Sequence, residues 1–419
     1  MNHYTTDTYE IKREIVNFSK KMSKGLKKPQ KNFLLDFQFG IASSKSLLIS
    51  EIARSLKEDI KLNHTIERLC DRLNSFSVEE REIVLNNYYE RMLPHIPDEP
   101  IVILDDTDIA KRYGKKFQDL DRVIDGSSLN KEIVPGYNVC EAVVLSNKHK
   151  QPISLYSKIY SCQSDDFVSK NVYTHESINR VHDILQKKAT YVFDRLYDDN
   201  KIYDLVDNNR DYFIVRLKEK RTFLVKKKKS LCEEIAKKRK GKVVMRLDFS
   251  DESKEVFISH TRVTLPYNDK EYTLVIVYGL SENKPMMLLT NRKIKGKKDL
   301  IKVVRLYMYR WRVEDYFRAK KQEYDFENFR VRNLESINTL NLMLQLRMGH
   351  LTILAESINN KLLPIKIIKR SKSLKSKVCL WFNQLARGIG IILEYAKTGI
   401  SEFKYIETRC KEKQLFFSF

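Results

Sequence analysis

Apolar positions in the first 95 or so residues recur at mixed helical spacing. Phe33, Leu34, Phe37, Ile41, Leu47, Leu48, Ile52 and Leu56 come first, then Ile66–Leu73 and Val84–Tyr89. Steps of three and four put apolar side chains on one helix face, so this region is expected to be helical. Pro94, Pro97 and Pro100 then predict a linker, because proline interrupts both helix and strand.

Beyond the linker the period shortens. IVILDD (Ile101–Asp106) is an apolar, β-branched run ending in acid, the pattern of a strand covered on both faces. Val139–Leu145, after a turn at Pro135-Gly136, and Ile153–Tyr160 complete an expected antiparallel meander. Val172–Gln186 reads as a helix with Val172, Ile178, Val181, Ile184 and Leu185 inward. TYVFDR (Thr190–Arg195) is a buried strand ending in Asp194; a helix around Lys201–Val206 and a strand Tyr212–Val215 follow. Three strands, helix, strand, helix, strand is the order of a ribonuclease-H-like α/β sheet.

From Leu217 to about Arg292 the runs Val243–Phe249, Val256–His260, Tyr272–Tyr278 and Met286–Leu289 alternate as antiparallel strands do. They predict a β-rich insertion rather than a continuation of the core, which resumes after Lys293–Lys298. Leu340–Ile358 and Trp381–Ala396 are apolar helices, expected to pack and to offer an oligomer contact. The expected fold class is therefore α/β: a ribonuclease-H-like catalytic core interrupted by a β-rich insertion, with helical N- and C-terminal regions. The expected division is a helical DNA-binding domain over 1–95, a core over 100–216 and 293–335, the insertion over 217–292, and a helical C-terminal region over 336–419.

Charge narrows the function. Lys+Arg of 78 against Asp+Glu of 55 leaves 78 − 55 = +23 on 419 residues, which implies a polyanionic partner, nucleic acid before an anionic membrane surface. No apolar run nears the ~18 residues that span a bilayer, and MNHYTTDTYEIKRE lacks a signal-peptide core, so no membrane role is expected. Cys70, Cys140, Cys162, Cys232, Cys379 and Cys410 form no CxxC and no Cys/His cluster; they read as reduced thiols of an intracellular protein, without structural zinc. No GxxxxGK[ST] is present, which argues against nucleotide hydrolysis. The lysines at 20, 21, 24, 27, 28 and 31, with KKKK at 226–229 and KKRKGK at 237–242, are either DNA-contacting faces or solvated charge.

The candidate chemistry centres on YMYRWRVEDYFRAKK, Tyr307–Lys321. At roughly 100° per residue Tyr307, Arg310, Glu314 and Lys321 share a helix stripe about 60° wide. An ordinary i,i+4 ion pair, worth about 0.2–0.5 kcal/mol, is the plain alternative for Arg310 and Glu314. Asp106 and Asp194, both at strand ends, supply two more carboxylates. Three acids converging from separate segments suit hard divalent cations. Asp105 rivals Asp106, Asp198 and Asp199 rival Asp194, and Glu327 rivals Glu314.

The spacing Tyr307-(2)-Arg310-(3)-Glu314-(6)-Lys321 resembles the Y-R-E-K signature of cut-and-paste DDE transposases of bacterial insertion sequences. LDDT (Leu104–Thr107), FDR (Phe193–Arg195) before YFIVR (Tyr212–Arg216), and LLTN (Leu288–Asn291) resemble that family's other core segments. The resemblance spans roughly 100–335. It implies Asp106, Asp194 and Glu314 as catalytic residues and ligands of two Mg2+ ions, with Mn2+ able to substitute. It also implies Tyr307, Arg310 and Lys321 on DNA phosphates, joined in the expected DNA-binding set by Arg195, Trp311, Lys27 and Lys28. The implied activity is Mg2+-dependent cleavage at terminal inverted repeats of double-stranded DNA and joining of 3′-OH ends to target DNA. A homodimer on the nucleoid DNA of a bacterial cytoplasm is the implied setting. A nuclease without strand transfer and a non-catalytic DNA-binding protein are the alternatives. One departure stands out: some members stack a flipped base on a tryptophan of the insertion, and residues 217–300 contain none, leaving Tyr272 or Tyr278 as substitutes.

Overall fold

The structure is a computed structural model that describes residues 2–404 apart from 127, 129, 250, 251, 269, 282, 283 and 373–380. Cys379 and Cys410 lie outside the described residues. The N-terminal helices are α1 (Asn2–Met22), α2 (Lys28–Ser44), α3 (Ile49–Ser55), α4 (Leu62–Asn74) and α5 (Val78–Met92). A capping box closes the start of α5, the Ser77 hydroxyl accepting from Glu80 N while the Glu80 carboxylate accepts from Ser77 N. The expected linker starts with a 3-10 turn at Leu93–His95 and is tied down: His95 and Pro100 carbonyls accept from Asn147 N and Thr190 N at 2.8 and 2.9 Å.

The sheet starts with β1 (Ile101–Ala110), β2 (Asp121–Ile124), β3 (Ile133–Leu145) and β4 (Pro152–Tyr160). After them come α6 (Lys170–Leu185), β5 (Thr190–Phe193), α7 (Asn200–Asn208) and β6 (Tyr212–Arg216). β4, β3 and β1 form the expected antiparallel meander, while β1, β5 and β6 are parallel neighbours. Every residue of β5 is buried, as a doubly covered parallel strand requires. α6 packs on β3 and β4 from one face. α9 (Lys297–Met308) and α10 (Trp311–Tyr324) cover β1, β5 and β6. α11 (Leu334–Glu356) lies against β4.

The segment expected as a β-rich insertion continues the same sheet. It holds β7 (Thr222–Val225), β8 (Lys228–Leu231), α8 (Cys232–Lys237), β9 (Val243–Asp248), β10 (Ser253–Thr264), β11 (Glu271–Tyr278) and β12 (Met286–Thr290). β12, wholly buried, adds antiparallel to β6, and the order runs on through β11 and β10 to β7 and β8. The reason is the free edge of β6, whose unpaired backbone groups need partners. β2, the β7–β8 hairpin and α8 escaped the sequence pattern because they are short. The KKKK run forms that hairpin's exposed tip, with Lys226 and Lys227 at φ 49° and 67°.

The two ends of the chain meet in one helical bundle. α11, α12 (Leu362–Arg370) and α13 (Phe382–Glu394) pack among α1 and α2, and the Gln38 side-chain amide donates to the Met343 carbonyl at 2.8 Å. α11 is enclosed nearly throughout, with Asn341, Gln345, Arg347 and His350 buried among its apolar side chains, so it serves internal packing. Among the described residues no helix is long and apolar enough to cross a membrane.

Candidate active site

The signature stretch is two helices, not one. Between α9 and α10 the backbone tightens to i→i−3 bonds: Arg310 N to Tyr307 O and Arg312 N to Tyr309 O at 2.9 Å, Val313 N to Arg310 O at 3.3 Å. The 3-10 step interrupts the single stripe expected from 100° per residue. Arg310 is only 7% exposed and donates to Glu314 Oε1 at 2.7 Å. Lys321 turns instead toward the end of β1, where it pairs with Glu327 at 3.1 Å and Asp108 at 3.5 Å.

Arg310 is also the meeting point of the aspartates. Its Nη1 lies 3.5 Å from Asp105 Oδ2. Asp194, where β5 ends, is near enough to bear on the charge of both Asp105 and Arg310. Asp106, expected as the first acid, is not brought to this group. Successive residues of a strand face opposite sides of the sheet, and Asp106 points toward Cys140, Tyr197 and Lys170. Its neighbour Asp105 points toward α10. Of the two, Asp105 is the carboxylate beside Arg310; a DD pair carries no sign of which carboxylate faces the covering helices until they are in place.

The other rivals are already engaged. Asp198 is buried and accepts from Tyr203 at 2.5 Å and Lys218 N at 2.8 Å, with Arg221 at 3.3 Å. Asp199 caps α7. Glu327 accepts from Ala110 N at 3.1 Å, bracing the end of β1.

Burial dominates the electrostatics of the β1 aspartates. Burial, and then the neighbouring charges of Asp106 and Asp194 against the relief of Arg310, push Asp105 up to about 7. Burial pushes Asp106 upward too, tempered by the Cys140 thiol and Tyr197 phenol beside it. Burial opposes the charge of Arg310, but the hydrogen bond and charge of Glu314 outweigh it and raise its pKa. Tyr307 is buried, which drives its phenol up to about 12, with Asp194 adding to the shift.

The donor set fits hard divalent cations, being oxygen-only and drawn from β1, the end of β5 and α10. Among the described residues no three His, Cys, Asp or Glu side chains are gathered tightly enough to hold a metal. Arg310, between Asp105 and Glu314, supplies the positive charge there.

A cleft of about 940 Å³ opens beside the site, between the β10–β12 region and the α9–α10 step. Arg195, Arg216, Arg310, Tyr307, Trp311 and Tyr278 are among its walls. Trp311 is half exposed, its ring 4.6 Å from the Arg310 guanidinium carbon. Lys237, Lys254 and Lys284 also line it but are paired with Glu233, Glu252 and Glu219. Of the substitutes for a missing tryptophan, Tyr278 reaches the cleft, whereas Tyr272 is buried and donates to Asp207 at 2.9 Å. Lys27 and Lys28 are exposed at the start of α2, in the helical bundle.

Asp105 within β1, Asp194 just after β5, Glu314 on a covering helix and Arg310 between two of them form an acidic cluster bridged by an arginine. The family model described as the transposase DDE domain matches residues 96–347, and the chain belongs to that family. None of the curated proteins compared with it matches significantly. Among solved structures, the cryo-EM structure of a piggyBac transposase synaptic complex with hairpin DNA is similar at a TM-score of 0.47 and 11% identity. That match covers 94% of this chain and 80% of the other.

Proposed function

We propose that the protein is a DNA transposase whose catalytic acids are Asp105, Asp194 and Glu314. It binds the terminal inverted repeats of its own element as a homodimer, cuts there by Mg2+-dependent hydrolysis and joins the 3′-OH ends to target DNA. The observation that carries this reading is that Asp105 and Glu314 both contact Arg310, with Asp194 close enough to bear on its charge, within a chain of the DDE family. In this reading the core is ribonuclease-H-like, as the order β4-β3-β1-β5-β6 with its parallel half supports. Divalent cations held by these acids would stabilise charge on the attacking and leaving oxygens of an in-line displacement. Arg310 and Arg195 hold phosphates beside the cut, Arg310 in bidentate fashion. The cleft walls of Trp311 and Tyr278 exclude water and receive the DNA end.

The test is cleavage of DNA carrying the element's own ends, with Mg2+ or with EDTA, by wild type and Glu314→Gln. Cutting that needs Mg2+ and disappears in the variant is the expected result. Equal cutting by Glu314→Gln would remove the assignment, and binding without cutting in wild type would turn the reading toward a DNA-binding protein.

A further inference from the structure

Six residues beyond Glu314 on α10, Lys320 enters the protein interior. Its Nζ donates to Glu141 Oε2 at 3.0 Å and to Asn341 Oδ1 at 3.2 Å, and both charged side chains are wholly buried. Glu141 also accepts from Ser157 Oγ at 2.8 Å and from Ser154 Oγ, while Asn341 Nδ2 donates to Ser157 Oγ at 2.8 Å. The Lys320 ammonium lies 4.4 Å from the Phe326 ring centre, which closes the pocket. Glu141 is the cross-strand register partner of Asp105 on β3, and both face α10. The network thus joins the strand position beside the first acid to the helix that carries the third.

We propose that the Glu141–Lys320 pair is a positioning device that sets where Glu314 stands relative to Asp105. It rests on the transposase reading above. A buried ion pair is weak evidence for stability, since a well-packed apolar pair of similar volume often serves as well. What an apolar pair lacks is direction. A carboxylate with three fixed donors and an ammonium with two fixed acceptors admit one placement of α10 on the sheet; apolar packing tolerates sliding. Catalytic constellations need placement to within about 0.5 Å. Neither residue touches the reacting atoms, so each acts through the backbone of β3 or α10.

The test is the double variant Glu141→Met/Lys320→Met, which removes both charges and keeps volume. Thermal stability, affinity for end DNA, cleavage rate and Mn2+ binding followed by electron paramagnetic resonance are compared with wild type. The expected result is a melting temperature and DNA affinity close to wild type, with cleavage and Mn2+ affinity each lower by about 10–100-fold, as for loss of outer-shell support. A stable double variant that binds Mn2+ and cuts as wild type does would overturn the proposal. If the double variant fails to fold, Asn341→Leu removes one acceptor of Lys320 and one donor to Ser157 without changing charge. It should weaken Mn2+ binding in the same direction, and unchanged binding would overturn the proposal as well. A wild type that neither cuts nor binds Mn2+ would remove the transposase reading itself, a result distinct from equality between wild type and variant.

Discussion

At the scale of single residues, one position along a strand decides which carboxylate meets Arg310. Asp105 and Asp106 are adjacent and chemically identical, yet one meets Arg310 and the other Cys140 and Tyr197. Asp105→Asn is expected to lower cleavage by more than about 100-fold, beyond the range typical for outer-shell residues. Asp106→Asn, isosteric and on the opposite face, should stay within about 10-fold of wild type by the same comparison; paired single-turnover assays at saturating DNA decide between them. Arg195, on the cleft wall, tests the electrostatics. Arg195→Ala should weaken binding of end DNA and flatten the log–log salt dependence by about 0.9, the slope for one duplex phosphate contact. Affinity measured across a salt series checks this.

Elements show a second lesson. The Arg310–Glu314 pair was legible as an i,i+4 spacing and exists at 2.7 Å, because four residues span little more than one turn. Lys321 was not, because the tight step at Tyr309-Arg310 separates two helices and a spacing of fourteen accumulates every departure from 100° per residue. Helix packing makes its own demand at Gly349, on α11. A Cβ there would come within 2.4 Å of the Tyr88 ring on α5. Gly349→Ala is therefore expected to destabilise the protein by about 1–3 kcal/mol, the usual effect of overpacking, read as a lower midpoint in urea.

On the scale of the whole molecule, the helices of residues 1–95 do not bury their apolar faces among themselves alone. α1 and α2 pack on α12 and α13, the Lys12 ammonium donates to the Thr398 carbonyl at 2.9 Å, and Asp36 is held by Arg68 at 2.9 Å and by Lys404. A fragment of residues 1–95 is expected to lack a cooperative thermal transition by circular dichroism, whereas the full chain shows one. A sharp two-state melt of the fragment would mark it as an independent domain.

Local periodicity was enough for the long elements. Burial writes itself into the apolar spacing of β1, β5 and most of α6, where only Val172, expected inward, turns out exposed. Three things depended on distant partners instead. Which face of β1 looks at α10 required the helix to be in place. That β12 completes the edge of β6 required backbone pairing between segments 70 residues apart or more, as Thr290 with Ile214. That the chain's two ends form one bundle required apolar helix faces that do not name their partners. In each case the deciding contact is long-range, and periodicity along a chain records that a face is buried without recording against what.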